Sequence, residues 1–139
     1  DMLLNNTAVK SVVPFYELGV TQLLNQGDKR VKLGKYHLPY SCDCDVVVRV
    51  KTHSMALPGT AATDLFLKRI KMDDMVQGNE YLIVMDDDAL WRKIRCVKGA
   101  PEQWRLVAYD RTEEQDIFIN KGDIRCVWRV IARMAILVS

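Results

Sequence analysis

Short runs of apolar and β-branched residues, separated by polar turn residues, follow one another along most of the chain. Their lengths, and the alternation of apolar with polar positions inside several of them, are typical of β-strands. The sequence therefore predicts strands at 46–50, 64–68, 81–85, 90–97, 104–109, 117–119 and 124–138.

Three polar segments between these runs have the composition of tight turns. The segment 86–88 is all aspartate, 98–101 contains Gly and Pro, and 120–123 contains Asn and Gly. These residue types are favoured in hairpin turns. Turns at such short spacing favour an antiparallel sheet or a partly open barrel over a parallel α/β fold, so the predicted fold class is mainly β.

The two ends of the chain are patterned less clearly. In the run 124–138, alternation as far as Val130 favours a strand, but 131–138 is too apolar to be assigned by its period. Residues 1–40 contain scattered glycines and prolines and predict an N-terminal arm with early strands. We therefore divide the chain into this arm, 1–40, and a core, 41–139.

Composition limits the class of protein. The chain has 139 residues, enough for one domain, and a formal net charge of +2. This near balance argues against a domain that grips nucleic acid by itself. No apolar run is long enough to span a bilayer, and the chain does not open on a signal peptide. Because it begins with Asp1 rather than Met, we expect a fragment of a longer protein.

The cysteines predict thiols rather than a disulfide framework or a metal site. Cys42 and Cys44 are too close in sequence to bond each other easily, and Cys96 and Cys126 lie in apolar runs. We expect reduced thiols, buried in the latter two, in a cytoplasmic protein. His37 lies near the first pair, but a second ligand pair at a recognisable spacing is missing, so we predict no metal and no cofactor.

A serine activated by a lysine is the type of nucleophile that the sequence leaves open. The sequence lacks a Gly-x-Ser-x-Gly elbow and a glycine-rich phosphate loop. Lysine can take a proton from serine only when neutral, and its ordinary pKa is about 10.4, so a catalytic lysine belongs in an apolar strand. Lys93, in the run 90–97, meets this requirement, and its alternative role is a solvated lysine on a strand face.

A family resemblance is carried by the segment 50–55, which ends in Ser54 and Met55. This segment resembles the Ser-Met motif of the LexA-like serine peptidases, a family that includes the C-terminal domains of LexA and of phage repressors and the UmuD-type proteins. Pro58 and Thr63-Asp64 stand where the family has a Pro and then Gly-Asp. About forty residues past the serine, 91–95 resembles the strand that carries the family's lysine.

Three further segments, 13–16, 77–81 and 124–134, resemble family segments in the same order, so the resemblance covers about the whole chain. It implies a LexA-like C-terminal domain, in which strongly bent antiparallel sheets form a partly open barrel. It also implies that the arm 1–40 follows a hinge that is missing from this sequence.

The resemblance implies a chemistry and partners. Ser54 is then the nucleophile, Lys93 its general base, and the backbone N–H of Ser54 or Met55 an oxyanion donor. The family cleaves a peptide bond in its own chain and so separates a DNA-binding half from a dimerising half. A homodimer, a coprotease, and DNA contact only through an absent N-terminal helix-turn-helix follow from this resemblance.

The sequence departs from the family pattern at several positions. Thr52-His53 replace the usual Gly-Asp before the serine, and Pro58 comes one position late. The Ala-Gly or Cys-Gly dipeptide that the family cleaves does not occur. The scissile bond therefore lies upstream of Asp1, or cleavage has been lost.

We therefore expect the regulatory domain of a LexA-like or phage-repressor-like transcriptional regulator, with peptide-bond hydrolysis by a Ser-Lys dyad. Two alternatives stay open: an inactive dimerisation module of a transcription factor, and a UmuD-like polymerase accessory subunit. A membrane-bound processing peptidase is disfavoured because no membrane segment is found. The run 131–138 is either a contact surface of the dimer or a buried final strand.

Overall fold

A computed structural model describes residues 10–17, 32–51, 60–86, 88–107 and 116–137. This part of the chain consists mainly of strands. They are β1 Lys10–Glu17, β2 Lys32–Cys42, β3 Val46–Val50, β4 Thr60–Ile70, β5 Glu80–Val84, β6 Ala89–Cys96, β7 Gln103–Val107, β8 Ile117–Asn120 and β9 Cys126–Leu137. Single 3-10 turns at Met72–Asp74 and Lys121–Asp123 precede β5 and β9. Among these residues no helix has the length and apolar character needed to cross a membrane.

The strands form one sheet in the order β2-β1-β3-β4-β9-β5-β6-β7-β8, which confirms the mainly β prediction. The sheet is mixed, because β1 pairs with β2 antiparallel and with β3 parallel. Strands β2 and β3 run in opposite directions on the two sides of β1, so one of them must be parallel to it. The sheet is not closed into a barrel within the described ranges.

The predicted strands from residue 46 onward are confirmed, with changed ends. The run 46–50 coincides with β3, whereas β4 extends well beyond 64–68 because its pairing with β9 continues through flanking residues. The unassigned end of the last run belongs to β9, which continues to Leu137. Residues 108–109 and 138, at the ends of two predicted strands, and Asp87, in the predicted turn 86–88, lie outside the described residues.

One face of the sheet, here called the inner face, carries a continuous buried cluster. Its members come from β1, β3, β4, β5, β6 and β9. They are Tyr16, Val46, Val48, Val50, Leu65, Leu67, Leu82, Val84, Ala89, Trp91, Cys126 and Trp128. Side chains alternate between the two faces along a strand. Glu80, two positions before Leu82, and Lys93, two positions after Trp91, therefore also lie on the inner face.

The opposite, outer face carries two separate clusters. One lies on the β5–β8 side and includes Tyr81, Ile94 and Leu106. The other lies on the β1–β4 side and joins Val47 and Phe66 to neighbouring aromatic rings. Burial of this apolar area, at about 25 cal/mol per Å², is the main stabilising contribution of both faces.

An irregularity in the pairing of β4 with β9 separates these two outer clusters. Phe66 pairs with Ala132 and the next residue, Leu67, pairs with Val130, so Ile131 is an extra residue on β9. Such a bulge shifts the alternation of side chains by one position. Val130 therefore packs against the inner cluster, while Ala132, two residues later, packs on the outer face.

A partly buried ion pair joins β3 to β4 on the outer face, at the directly opposed residues Arg49 and Asp64. Asp64 is 1% exposed, and its two carboxylate oxygens accept hydrogen bonds from Arg49 Nε at 2.8 Å and Nη2 at 3.1 Å. The Arg49 guanidinium also lies 5.2 Å from the centre of the Phe15 ring. A bidentate pair of this kind satisfies a carboxylate that could not otherwise be buried at low cost.

Replacing Arg49 by Ala is expected to lower the free energy of unfolding by about 2–3 kcal/mol, because it leaves the Asp64 carboxylate buried without its partner. Urea denaturation followed by tryptophan fluorescence measures this difference. Lys98→Ala, at an exposed position in the β6–β7 turn, is the control and is expected to change stability by less than about 0.5 kcal/mol. Equal losses of stability in the two variants would contradict a stabilising role of the Arg49–Asp64 ion pair.

Candidate functional site

Half of the predicted dyad lies outside the described residues. The chain is described as far as Lys51 and again from Thr60, so Ser54, Met55 and Pro58 fall in the segment between. Lys51, the last described residue before the serine, is exposed, and its Nζ lies 3.2 Å from Glu17 Oε1. The nucleophile and the oxyanion donor therefore stay predictions, and the described part of the site is the part around Lys93.

Lys93 lies in the middle of β6 and is half-buried. It follows Trp91 by two positions, so both side chains are on the inner face. In the sheet it is directly opposite Glu80 of β5 and Val107 of β7. The strand thus provides the mixed apolar and polar surroundings that its alternation predicts.

The inner face also connects this strand to the end of β3. Val50, the last residue of β3, and Trp91 of β6 belong to the same buried cluster, with 2% and 0% of their surfaces exposed. Strand β3 is the one that leads directly into the segment containing Ser54. Lys93 and the last residue of β3, which precedes the segment with Ser54, therefore lie on the same face of the sheet.

A groove lies beside Lys93, where β5 and β9 part. Strand β5 begins at Glu80, whereas β9 continues for eight further residues beyond Arg129, the last one paired with β5. The chain before β5 stays with β6, because Gly78 N donates to Ile94 O at 2.8 Å. The resulting groove has a volume of about 300 Å³. Its lining residues are Gly78, Asn79, Glu80, Lys93, Arg129, Val130, Ile131, Ala132 and Arg133.

Glu80 is the centre of a polar network in this groove. Its Oε1 accepts hydrogen bonds from Trp91 Nε1 at 2.9 Å and from Arg133 Nη1 at 3.3 Å. The Arg133 guanidinium lies 5.9 Å from the centre of the Trp91 ring. The Glu80 side chain is only 15% exposed, so protein groups surround most of it.

The sequence did not predict roles for Glu80 and Arg133. The family resemblance includes Glu80 only as part of the segment 77–81. Counting outward from the predicted turn 86–88 would pair Glu80 with Ile94. Glu80 lies opposite Lys93 because the loop has four residues, 85–88, and Val84 pairs with Ala89. Arg133 reaches the site through β9, from a distant part of the sequence, and no local pattern indicates this.

The charged groups in the groove are suited to proton transfer or to binding a polar chain. Lys93, Arg129 and Arg133 provide three cationic groups, and Glu80 provides one carboxylate. An amine held on a strand beside a groove can exchange a proton with a group placed there. The cationic groups can in addition interact with carbonyl oxygens of a bound peptide.

The four cysteines are present as thiols rather than disulfides. Cys126 is buried as predicted, but the predicted burial of Cys96 is wrong, because this residue ends β6 and its side chain is exposed. Burial raises the pKa of the Cys126 thiol, and it raises that of Cys44 to about 11. Within the described ranges no group of three or more His, Cys, Asp or Glu side chains is arranged to hold a metal ion.

Comparison with known proteins gives no match, either to a protein-family model or to a curated protein. The resemblance to the LexA-like peptidases therefore rests on the sequence motifs alone.

Cys44 is expected to react with iodoacetamide much more slowly than Cys96, because the thiolate is the reactive form and the pKa of Cys44 is about 11. Since that pKa is raised, the thiolate fraction of Cys44 increases about tenfold per pH unit between pH 7 and 10. Peptide mass spectrometry after timed alkylation of the native protein measures both rates. Equal labelling of the two thiols at pH 8 would show that Cys44 is not protected in this way.

Proposed function

We propose that this chain is the regulatory domain of a LexA-like or phage-repressor-like transcriptional regulator, with a LexA-like fold, and that it cleaves a peptide bond in its own protein. Ser54 acts as nucleophile and Lys93 as general base. The observation that carries this proposal is the location of Lys93: it lies half-buried on the inner face, beside a groove, on the face that also carries the end of β3.

The placement of Lys93 agrees with the requirements of a general base. A lysine that only keeps a surface solvated does not require a position inside a sheet. Lys93 lies on a strand between β5 and β7, with Trp91 on the same face. Trp91 is 0% exposed, so one side of the lysine's surroundings is apolar. A general base must lie within hydrogen-bond reach of the group whose proton it takes, and the groove beside Lys93 gives such a group room to approach.

The proposed reaction has two steps. In the first, Ser54 Oγ attacks the carbonyl carbon of the scissile bond while its proton passes to the Lys93 amine, and the backbone N–H of Ser54 or Met55 stabilises the oxyanion. The C–N bond then breaks, and the leaving amine takes the proton from Lys93. In the second step, water activated by Lys93 hydrolyses the ester and releases the Ser54 hydroxyl.

A dimerisation role is supported by the second half of β9. Ile131, Met134 and Leu137 are 36%, 41% and 71% exposed, and all three lie beyond the residues that pair with β5. These residues lie along the part of β9 that extends past β5, and exposed apolar residues on such a strand edge are typical of a contact surface. The same observation supports the second candidate function, a dimerisation module that has lost its peptidase activity.

The remaining parts of the proposal follow from the regulator class. The protein acts in the cytoplasm, a helix-turn-helix outside the given sequence contacts the operator, and a coprotease can accelerate the self-cleavage. The nearly balanced charge of the chain, +2, agrees with a domain that leaves DNA contacts to another part of the protein.

Self-cleavage of the full-length protein is expected to become faster as the pH rises from 7 to 10, because more of a general-base lysine is then neutral. The cleavage products are followed by gel electrophoresis and their termini by mass spectrometry. Ser54→Ala and Lys93→Ala are each expected to lower the rate by at least about a hundredfold.

Lys98→Ala is the matched control, since it removes an exposed lysine in the turn after β6 and is expected to cleave at the normal rate. If the unmodified protein stays intact at high pH, as the two dyad variants do, the peptidase function is excluded and the dimerisation module is favoured.

Substitution of Met134 by Glu is expected to shift the protein from dimer to monomer, because it places a charge in the proposed apolar contact surface. Sedimentation equilibrium measures the association constant. Val76→Glu, at a 57% exposed position away from β9, is the control and is expected to leave the dimer intact. Loss of the dimer in both variants, or in neither, would argue against this surface.

A further inference from the structure

A second groove lies where β4 ends and β9 begins, and we call it the β4–β9 groove. Ile70, the last residue of β4, pairs there with Val127, near the start of β9. The groove has a volume of about 610 Å³, which is within the range of pockets that bind ligands. None of the residues that the structure describes lines both this groove and the one beside Lys93, so the two are separate places on the sheet.

Cationic side chains dominate the polar part of the β4–β9 groove. Its described lining residues include four cations, Lys68, Arg69, Lys71 and Arg125, against one carboxylate, Asp74. An excess of one sign of charge in a groove attracts a partner of the opposite sign and speeds its association. The groove is therefore suited to a negatively charged partner.

Two of the four cations are already bound to carboxylates of this chain. Lys68 Nζ lies 2.6 Å from Asp43 Oδ2, and Arg125 Nη2 donates to Asp86 Oδ2 at 2.9 Å. These contacts neutralise part of the positive charge and show that carboxylates approach the rim of the groove. The charge left for a partner is that of the other two cations.

Arg69 and Lys71 provide this remaining charge, since neither side chain is in an ion pair with another described residue. The backbone N–H of Arg69 donates to Asp45 Oδ2 at 2.8 Å, while its guanidinium lies 5.2 Å from the centre of the Trp128 ring. That ring is 8% exposed and gives the guanidinium a fixed surface to stack on. A stacked guanidinium keeps its N–H donors available and can bind a carboxylate with two hydrogen bonds.

Apolar side chains alternate with these two cations along residues 69–72. Ile70 is half-buried against the outer cluster on the β5–β8 side, Met72 is 45% exposed, and both line the groove. The phosphate contacts of a nucleic acid use cationic and polar groups, whereas a peptide can offer carboxylates and apolar side chains on neighbouring residues. The alternation therefore favours a peptide over a nucleic acid as the partner.

We propose that the β4–β9 groove binds an acidic segment of a partner protein, in which at least two Asp or Glu residues stand beside an apolar one. The carboxylates bind Arg69 and Lys71, and the apolar side chain contacts Ile70 and Met72. The small net charge of the whole chain, +2, agrees with a peptide partner, because it gives little general attraction for nucleic acid. This inference does not depend on the proposed peptidase function.

Selection of peptides on the full-length protein tests the proposal. A phage library of random heptapeptides is selected on the immobilised protein, and the most enriched peptide is synthesised with a fluorescent label and titrated by fluorescence anisotropy. The enriched sequences are expected to combine at least two carboxylates with an apolar residue. The double variant Arg69→Gln/Lys71→Gln is expected to bind the peptide at least about tenfold more weakly, because both carboxylates lose their charged partners.

The matched control is Arg95→Gln/Lys98→Gln, which removes two exposed cations from the end of β6 and the following turn, outside the groove. It is expected to bind the peptide within a factor of about two of the unmodified protein. Lys71→Gln alone, at an exposed position just after β4, is expected to weaken binding about threefold and serves if the double variant does not fold. Thermal unfolding followed by circular dichroism shows which variants are folded.

Three results would overturn the inference. One is a selection that enriches no peptide, or only peptides without carboxylates. Another is an equal loss of binding in the two double variants, since this indicates a general attraction between opposite charges. The third is tighter binding of a short DNA duplex of mixed sequence than of the peptide, lost in Arg69→Gln/Lys71→Gln, which would assign the groove to nucleic acid instead.

Discussion

The pairing of β9 with β4 on one side and β5 on the other is the interaction on which the rest of the sheet depends. In the described sheet, it is the connection between the group β1–β4 and the group β5–β8. All three buried clusters include or contact this strand: Trp128 on the inner face, and Val127 and Ala132 on the outer face. The backbone hydrogen bonds and the apolar burial of both groups therefore depend on one strand.

The unequal lengths of β5 and β9 explain why the groove and the exposed apolar residues occur together. Where β5 has already ended, β9 still pairs with β4 and continues to Leu137. Beyond Arg129, the edge of β9 that earlier pairs with β5 borders the groove beside Lys93. Near the end of β9, the side chains of Met134 and Leu137 are exposed to solvent. The bulge at Ile131 sets which of these residues face inward, because it shifts the alternation just before Arg133.

The sequence predicted what depends on local pattern. The strand 46–50 and the hairpins after 81 follow from residue type and spacing, whereas the register that places Glu80 opposite Lys93 depends on the loop starting one residue earlier than predicted, at Met85. Features that depend on distant pairing were not predictable in this way. The contact of Arg133 with Glu80 requires the partner and register of β9, including its bulge, and the parallel β1–β3 pair requires knowledge of which side of β1 each neighbour takes.

The sheet order has a consequence for how the chain folds. Neighbouring strands from β5 to β8 are also neighbours in sequence, so their hairpins form by closing short loops. The pairing of β4 with β9 instead joins residues as far apart as Asp64 and Met134, and the entropy of closing that long loop is lost before any contact compensates for it. Joining the two groups is therefore expected to be the slow step of folding, and until it occurs the edges of β4 and β5 that β9 will cover stay open to pairing with other chains.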